Sequence, residues 1–286
     1  DGGCRRSSRR RPPQPIRRPF ISGSRSPAIA AIAKAAENTP KTTGMPRERY
    51  EVLPLGYQRR FADLPTLPAP KADEPMRFVY WGSVGRHKGV DVLLHAFRQV
   101  HSKHPGRAEL HVLGGVDTPK FEDELRRLGS GLPAVFHGQF DAAKLHATGP
   151  HIGVFPSTCL ETYGLVLDEC FELGRPCITS NLGALAERGA PAGLTTQAGD
   201  KDDLAAAMLR MIEEPSLWSD LAAKIPTQSL DRDEHTDALL QIYDRVRAEP
   251  APKPCFEAVP QLRRIMFLQL QRETAIAKVR RPEGPV

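Results

Sequence analysis

The sequence lacks the cysteine and histidine patterns that hold metal ions or disulfides. Its 286 residues include five cysteines. None belongs to a CxxC pair, and none has a histidine at the spacing of a zinc site. These absences argue against a zinc motif and a disulfide framework. We therefore predict a reduced, cytoplasmic setting.

Long apolar runs and the common nucleotide-binding loops are also missing. No apolar stretch approaches the roughly 20 residues of a membrane-spanning helix. The segment 82–89 (GSVGRHKG) does not match the P-loop pattern G-x4-G-K-[ST], and no G-x-G-x-x-G follows a predicted strand. The sequence thus disfavours a membrane-spanning protein, a P-loop NTPase and a nicotinamide-dependent dehydrogenase.

Positive charge is concentrated at one end of the chain. The formal net charge is +6, and the first 25 residues hold eight arginines and one acid, so the remainder is close to neutral. We predict that residues 1–26 form a disordered, solvated basic tail. Contact of this tail with nucleic acid, or with the inner face of an anionic membrane, is the open alternative, although no specific nucleic-acid site is expected.

Short apolar segments alternate with amphipathic segments in the middle of the chain. Strands are predicted at 77–81, 108–113, 134–137, 152–155 and 176–179. Helices are predicted at 90–103, 120–128, 142–146, 164–173, 184–187, 202–212, 217–223 and 235–247. This alternation is typical of an α/β protein with a doubly wound, Rossmann-like parallel sheet. Ligands of such sheets lie at the carboxyl ends of the strands.

Proline-rich segments divide the chain into four predicted regions. After the basic tail, residues 27–75 combine a helical composition at 27–38, a short strand and turn at 49–56 and a linker at 61–75. Residues 76–248 form the predicted ligand-binding domain, and residues 249–286 an irregular C-terminal tail.

One loop has the composition of a phosphate site. A strand is expected to end at Phe155, and Gly164 opens the next helix, so free backbone N–H groups and the positive helix end face the polar loop between them. Glu161 lies in this loop and Glu169 lies in the helix, where a carboxylate could hold two vicinal hydroxyls. Trp81 ends another strand and is expected to pack rather than stack against a sugar.

Four motifs in order resemble the donor-binding domain of glycosyltransferase family 4. Residues 161–169 (ETYGLVLDE) are similar to the E-x7-E motif of that family, and residues 82–97 to its first phosphate loop and helix. Residues 174–187 (GRPCITSNLGALAE) resemble its glycine-rich loop, and residues 199–208 (GDKDDLAAAM) its GD-x-x-x-LA pattern. The resemblance implies a GT-B fold and a nucleotide-sugar donor.

The resemblance also implies which residues contact the phosphates of the donor. Gly82 would open the first phosphate loop, and Lys88 would neutralise the diphosphate. Backbone N–H groups of Gly164 and Leu165 would bind the same phosphates, after Tyr163 in the place where phenylalanine is common. No metal and no cofactor beyond a UDP-, GDP- or ADP-linked sugar is expected.

The remaining implied roles concern the sugars, and one phosphate cation departs from the pattern. Glu169 would hold the ribose, and Glu161 would face the transferred sugar. The family usually has arginine where this chain has Ser83, so Arg86 in the same loop is the candidate replacement.

The segment before residue 76 resembles only the end of the acceptor domain of the family. Residues 49–56 resemble its hinge, and residues 21–38 its preceding helix, while the catalytic histidine of the acceptor half has no counterpart. Most of the N-terminal domain is therefore expected to be absent.

Three functions are compatible with the sequence. The first is a retaining hexosyltransferase that acts on a saccharide, lipid or small-molecule acceptor. The second is a truncated, inactive nucleotide-sugar-binding module that needs a separate acceptor domain. The third is a basic-tailed, nucleic-acid-associated protein.

Overall fold

The computed structural model describes residues 28–30, 50–226 and 230–248. The predicted basic tail (1–26) and C-terminal tail (249–286) lie outside these residues, as does most of the helix predicted at 27–38. None of the helices among these residues combines the length and the hydropathy of a membrane-spanning segment.

Two short strands precede the main domain. β1 (Ala28–Ala30) pairs in parallel with β2 (Tyr50–Val52), and Ala28 lies opposite Tyr50. The prediction of a helix is therefore wrong for residues 28–30. Alanine favours helices, but the backbone pairing with β2 outweighs that local preference here.

A parallel sheet of six strands forms the centre of the fold. It contains β3 (Met76–Trp81), β4 (Ala108–Leu113), β5 (Ala134–Gly138), β6 (Ile152–Phe155), β7 (Cys177–Ser180) and β8 (Gly193–Thr196). Their order is β5-β4-β3-β6-β7-β8, and every neighbouring pair is parallel. The order changes direction between β3 and β6, where doubly wound sheets bind ligands. The predicted fold class is confirmed.

Helices connect these strands and cover the sheet. They are α1 (Val90–Lys103), α2 (Pro119–Gly129), α3 (Ala142–Ala147), α4 (Leu165–Glu172), α5 (Gly183–Gly189), α6 (Lys201–Glu213), α7 (Leu217–Ala222) and α8 (Arg232–Ala248). All four residues of β6 and of β7 are buried. Because successive strand residues point to opposite faces, both faces of the sheet are covered.

Local sequence explains several of the helix boundaries. The apolar positions of α1 recur at helical spacing and are buried, as predicted (Val90, Leu93, Leu94, Phe97, Val100). The carboxylate of Asp200 accepts from the backbone N–H groups of Asp202 and Asp203 and thereby caps α6. β8 was not predicted, because the sequence GLTT offers almost no apolar side chains, and pairing with β7 forms this strand.

The predicted linker packs against the main domain. Phe61 belongs to the buried core. The guanidinium of the buried Arg175 donates to the carbonyl oxygens of Leu67 at 2.6 Å and Pro68 at 3.0 Å. The segment has no helix or strand, as expected for a linker, but these contacts fix it to the domain.

Candidate functional site

A cavity of about 340 Å³ opens where the strand order changes direction. Its size falls within the range of small-molecule sites. Residues after β3, after β6 and at the beginning of α4 line it: Gly82, Ser83, Lys88, Ser157, Glu161, Tyr163, Gly164 and Leu165, together with Leu55 and several apolar side chains. Residues as far apart in the sequence as Leu55 and Leu185 therefore meet at the carboxyl edge of the sheet.

The loop after β3 forms one wall of this cavity. Gly82 has a φ of 126°, and its carbonyl oxygen would lie 1.8 Å from a Cβ at Gly114, so both positions require glycine. The hydroxyl of Tyr80 donates to the carbonyl of Ser83 at 2.6 Å. This bond holds the loop with the uncharged Ser83 side chain exposed at the cavity wall.

A close approach of two loops positions Lys88. Lys88 ends the short 3-10 helix Arg86–Lys88, and Gly89 follows with a φ of 70°. A Cβ at Gly89 would lie 2.1 Å from the carbonyl oxygen of Pro156, so the two loops are in direct contact. The backbone carbonyl of His87 accepts from the N–H group of Thr158 at 2.9 Å.

Across this contact, Lys88 forms an ion pair with Glu161. The distance from Lys88 Nζ to Glu161 Oε1 is 2.5 Å, and the Ser157 hydroxyl donates to the same oxygen at 3.1 Å. Both charged side chains are about one-quarter exposed or less. The pair therefore faces the cavity, where a ligand that carries negative charge would compete with Glu161 for Lys88.

The beginning of α4 presents backbone donors to the cavity. Gly164 caps the helix with a φ of 75°, and no side chain caps the first N–H groups. A Cβ there would lie 3.0 Å from the Leu185 side chain. The N–H group of Leu167 donates to the carbonyl of Gly164, whereas that of Leu165 lies before the first intrahelical bond. The positive potential of this helix end favours a phosphate.

Tyr163 is a structural support for this helix end. Its ring is buried, and the Arg188 guanidinium lies 3.8 Å from the ring centre. Burial raises the pKa of Tyr163, so the phenol stays protonated and donates to the carbonyl of Leu55 at 3.2 Å. The cavity wall is thereby joined to the segment that follows β2.

Glu169 lies one helical turn after Leu165 and is 6% exposed. The indole N–H of Trp81 donates to Glu169 Oε2 at 2.7 Å, and the Arg60 guanidinium donates to Oε1. Trp81 is buried with its ring edge-on to Phe155 at 4.7 Å, so the prediction that it packs is confirmed.

Arg86 does not reach the cavity. Its guanidinium donates to Glu124 of α2 at 2.6 Å, lies 3.7 Å from Asp91 and stacks 4.6 Å above the ring of Phe121. Because these contacts hold the side chain on the outer side of the loop, the geometry does not support Arg86 as the replacement for the missing phosphate cation. Lys88 is the single cationic residue among the described residues that line the cavity.

The family comparison decides what kind of domain surrounds this cavity. Residues 75–214 match the family described as glycosyl transferases group 1. This stretch, just under half of the chain, is similar to a glycosyl transferase group 1 domain. The prediction is thereby confirmed at the level of group 1, whereas membership of family 4 stays a prediction.

A curated relative is similar to a longer stretch of the chain. The chain is 27% identical over 188 residues to a glycogen synthase of Mycobacterium tuberculosis, covering 63% of this chain and 45% of that enzyme. It therefore spans less than half the length of this curated relative.

Two solved structures share the fold. Anabaena HepE, in complex with UDP and glucose, has a TM-score of 0.63 at 18% identity. The match covers 77% of this chain and 63% of the HepE chain. A sucrose-phosphate synthase of Thermosynechococcus elongatus has a TM-score of 0.59 at 22% identity, with 77% and 58% covered.

Most of the residues singled out in the sequence line this one cavity, whereas Arg86 and Glu169 do not line it. The sequence reasoning missed Arg60, which lies 109 positions before its partner Glu169, and it missed the contact of Ser157 with Glu161. The polar loop after Phe155 was a usable signal for Ser157. No local pattern singles out Arg60.

Proposed function

We propose that this chain takes part in the transfer of a hexose from a nucleotide sugar to an acceptor hydroxyl, with retention of the anomeric configuration. The observation that carries the proposal is the cavity in which Lys88, Glu161 and the free end of α4 converge. The matched group 1 family and the UDP bound by HepE support a nucleotide-sugar donor.

In the proposed reaction, charge develops where this cavity has donors. The bond between the anomeric carbon and the diphosphate oxygen breaks, a bond to the acceptor oxygen forms, and the hydroxyl proton leaves with the nucleoside diphosphate. Lys88 and the N–H groups of Gly164 and Leu165 are placed to stabilise the departing diphosphate. Glu161 would bind hydroxyls of the transferred sugar, and Glu169 those of the ribose.

Family 4 membership, the identity of the sugar and the class of acceptor belong to this proposal. A saccharide, a lipid or a small molecule would each supply the hydroxyl. In the proposed reaction, Lys88 and backbone N–H groups, rather than a metal ion, stabilise the diphosphate.

Calorimetric titration with UDP-glucose and GDP-mannose tests the proposal. We expect one donor to bind, and Glu169→Ala to weaken that binding at least tenfold, because hydrogen bonds to a charged group are lost. Glu122→Ala on α2 is the matched control, since its exposed carboxylate pairs with Arg126 and lies away from the cavity. Equal affinities of Glu169→Ala and the parent would contradict the proposed ribose contact, and no binding of either donor would contradict the proposed donor site.

Binding without turnover is the second candidate function. It is favoured by the uncharged Ser83 and by the displacement of Arg86 towards Glu124, which together leave Lys88 as the cation that lines the cavity in the described part of the chain. Donor hydrolysis, measured as release of nucleoside diphosphate by the chain alone, separates the two. Release that is lost in Lys88→Ala supports the transferase, whereas tight binding with no release supports the binding module.

A further inference from the structure

The segment that precedes the main domain is fixed to the last turn of α4. The carboxylate of Glu172 accepts from the hydroxyl of Tyr57 at 2.7 Å and from the backbone N–H groups of Arg60 at 2.9 Å and Phe61 at 3.0 Å. The Glu172 side chain is 5% exposed, and Phe61 is buried. The backbone of residue 60 is therefore held at one place on α4.

This attachment brings Arg60 to Glu169, one helical turn before Glu172. The guanidinium of Arg60 binds Oε1 of Glu169, and the indole N–H of Trp81 binds Oε2. The two donors come from different elements, since Trp81 ends the central strand β3. Each carboxylate oxygen is thus held by one donor, and the side chain has lost its rotational freedom.

A carboxylate held in this way still has acceptor capacity. An ionised carboxylate offers about four lone-pair positions over its two oxygens. Arg60 and Trp81 use one on each oxygen, which leaves a second on each. Two vicinal hydroxyl groups can each donate to one carboxylate oxygen, so they would use these two remaining positions. Because Glu169 is already ordered, such a diol would bind without the entropic cost of fixing a glutamate side chain.

We propose that Arg60 and Trp81 are positioning residues that orient Glu169 to recognise the ribose hydroxyls of the donor. This inference rests on the proposed function, since it assumes that the nucleotide binds at this cavity. It assigns part of the nucleotide selectivity to an arginine that lies before the matched domain. It also explains why a strand-ending tryptophan directs its N–H group at a carboxylate.

The test compares ribonucleotides with their 2′-deoxy forms. UDP, GDP, 2′-deoxy-UDP and 2′-deoxy-GDP are titrated calorimetrically into the full chain and into Arg60→Gln, Trp81→Phe and Glu169→Ala. The readout is the ratio of the two dissociation constants, deoxy over ribo, which a general loss of folded protein does not change. Trp81→Phe keeps a ring against Phe155, and Arg60 is 44% exposed, so Arg60→Gln is expected to fold.

The neighbouring arginine provides a matched control. Arg59 is 72% exposed and its guanidinium lies 3.4 Å from Glu172, not from Glu169. Arg59→Gln removes a charge of the same kind from the same segment. The deoxy-over-ribo ratio of Arg59→Gln should equal that of the parent chain. Arg60→Lys should retain part of this ratio, because lysine keeps a donor and a charge.

We expect the parent chain to bind the ribonucleotide about tenfold or more tightly than the deoxy form, because one hydrogen bond to a charged group is lost. Arg60→Gln and Trp81→Phe should lower this ratio to about threefold or less, and Glu169→Ala should bring it close to one. The double variant that carries both Arg60→Gln and Glu169→Ala should have the same ratio as Glu169→Ala alone.

The remaining outcomes overturn one proposal or both. If Glu169→Ala abolishes the ratio while Arg60→Gln and Trp81→Phe keep it, the positioning role is wrong and the ribose contact stands. If Arg60→Gln tightens UDP or GDP, Arg60 blocks the carboxylate rather than positioning it. If the folded parent chain binds none of the four nucleotides, the proposed function itself fails, and the inference with it.

Discussion

The ion pair between Lys88 and Glu161 predicts an unusual effect of a conservative substitution. Glu161→Gln should strengthen the binding of UDP and weaken sugar transfer. In the structure, the Glu161 carboxylate holds the ammonium group that the diphosphate would need, with 2.5 Å between the two atoms. Glutamine keeps the size of the side chain and its contact with Ser157, but it carries no charge that competes with a phosphate.

The expected magnitude follows from the geometry of the pair. Two unit charges at this separation attract by about 7 kcal/mol at an effective dielectric constant of 20. Desolvation and side-chain ordering cancel most of this attraction, so a pair that is about one-quarter exposed retains about 1–2 kcal/mol. The loss of this competition should tighten UDP by about 5- to 30-fold.

Calorimetry with UDP measures this effect, and UDP-glucose turnover measures the opposite effect on transfer. Because Glu161 faces the transferred sugar in the proposal, turnover by Glu161→Gln should fall at least about tenfold. Glu124→Gln is the control, since its carboxylate pairs with Arg86 outside the cavity and its loss should leave UDP affinity unchanged. UDP affinity that is unchanged or weaker in Glu161→Gln would refute the competition between Glu161 and the diphosphate.

Three further predictions concern charge, backbone conformation and pH. Ser83→Arg should tighten UDP about tenfold by adding a charged donor at the cavity wall, and an unchanged affinity in calorimetry would contradict this. Gly89→Ala should lower the free energy of unfolding by about 2 kcal/mol or more, because φ is 70° and the Cβ would meet the Pro156 carbonyl. Urea denaturation measures this loss. Gly106 has a φ of 75° and open space around it, so Gly106→Ala should lose only the stability that comes from the backbone conformation. Burial and the nearby Arg77 guanidinium lower the pKa of His151 from 6.5 to about 4. The unfolded chain therefore takes up the proton first as the pH falls, and stability should drop by about 2 kcal/mol between pH 7 and pH 5. Urea denaturation at each pH measures the free energy of unfolding. If this free energy falls equally between pH 7 and pH 5 in His151→Asn, the residue is not the cause.

The sheet and most of its helices could be predicted because their apolar spacing is local. The helix predicted at 90–103 matches α1 (Val90–Lys103), and the strands predicted at 108–113 and 152–155 match β4 and β6. β8 could not be predicted in this way, since it depends on pairing with β7 rather than on its own side chains. Residues 28–30 show the reverse case, in which a helical composition yields to strand pairing.

Some contacts of the candidate site could likewise be expected from the sequence, and others could not. Residues that follow adjacent strands, such as Lys88 and Glu161, could be expected to meet because parallel strands end at one edge. The contacts of Arg60 with Glu169 and of Arg86 with Glu124 depend on how separate elements pack. No periodicity or spacing in the sequence indicates either contact. Only the structure shows that Arg60 binds Glu169 and that Arg86 binds Glu124 outside the cavity.

The attachment of Glu172 to the preceding segment has a mechanical consequence. Tyr57, Arg60 and Phe61 are fixed to α4 at its carboxyl end, while the amino end of the same helix faces the cavity. A force or a rotation applied to the chain before residue 57 would thus reach the helix that carries Glu169 without passing through the sheet. A unit transplanted with this cavity intact would consequently have to include Leu55 and Tyr57, which precede the first strand of the sheet.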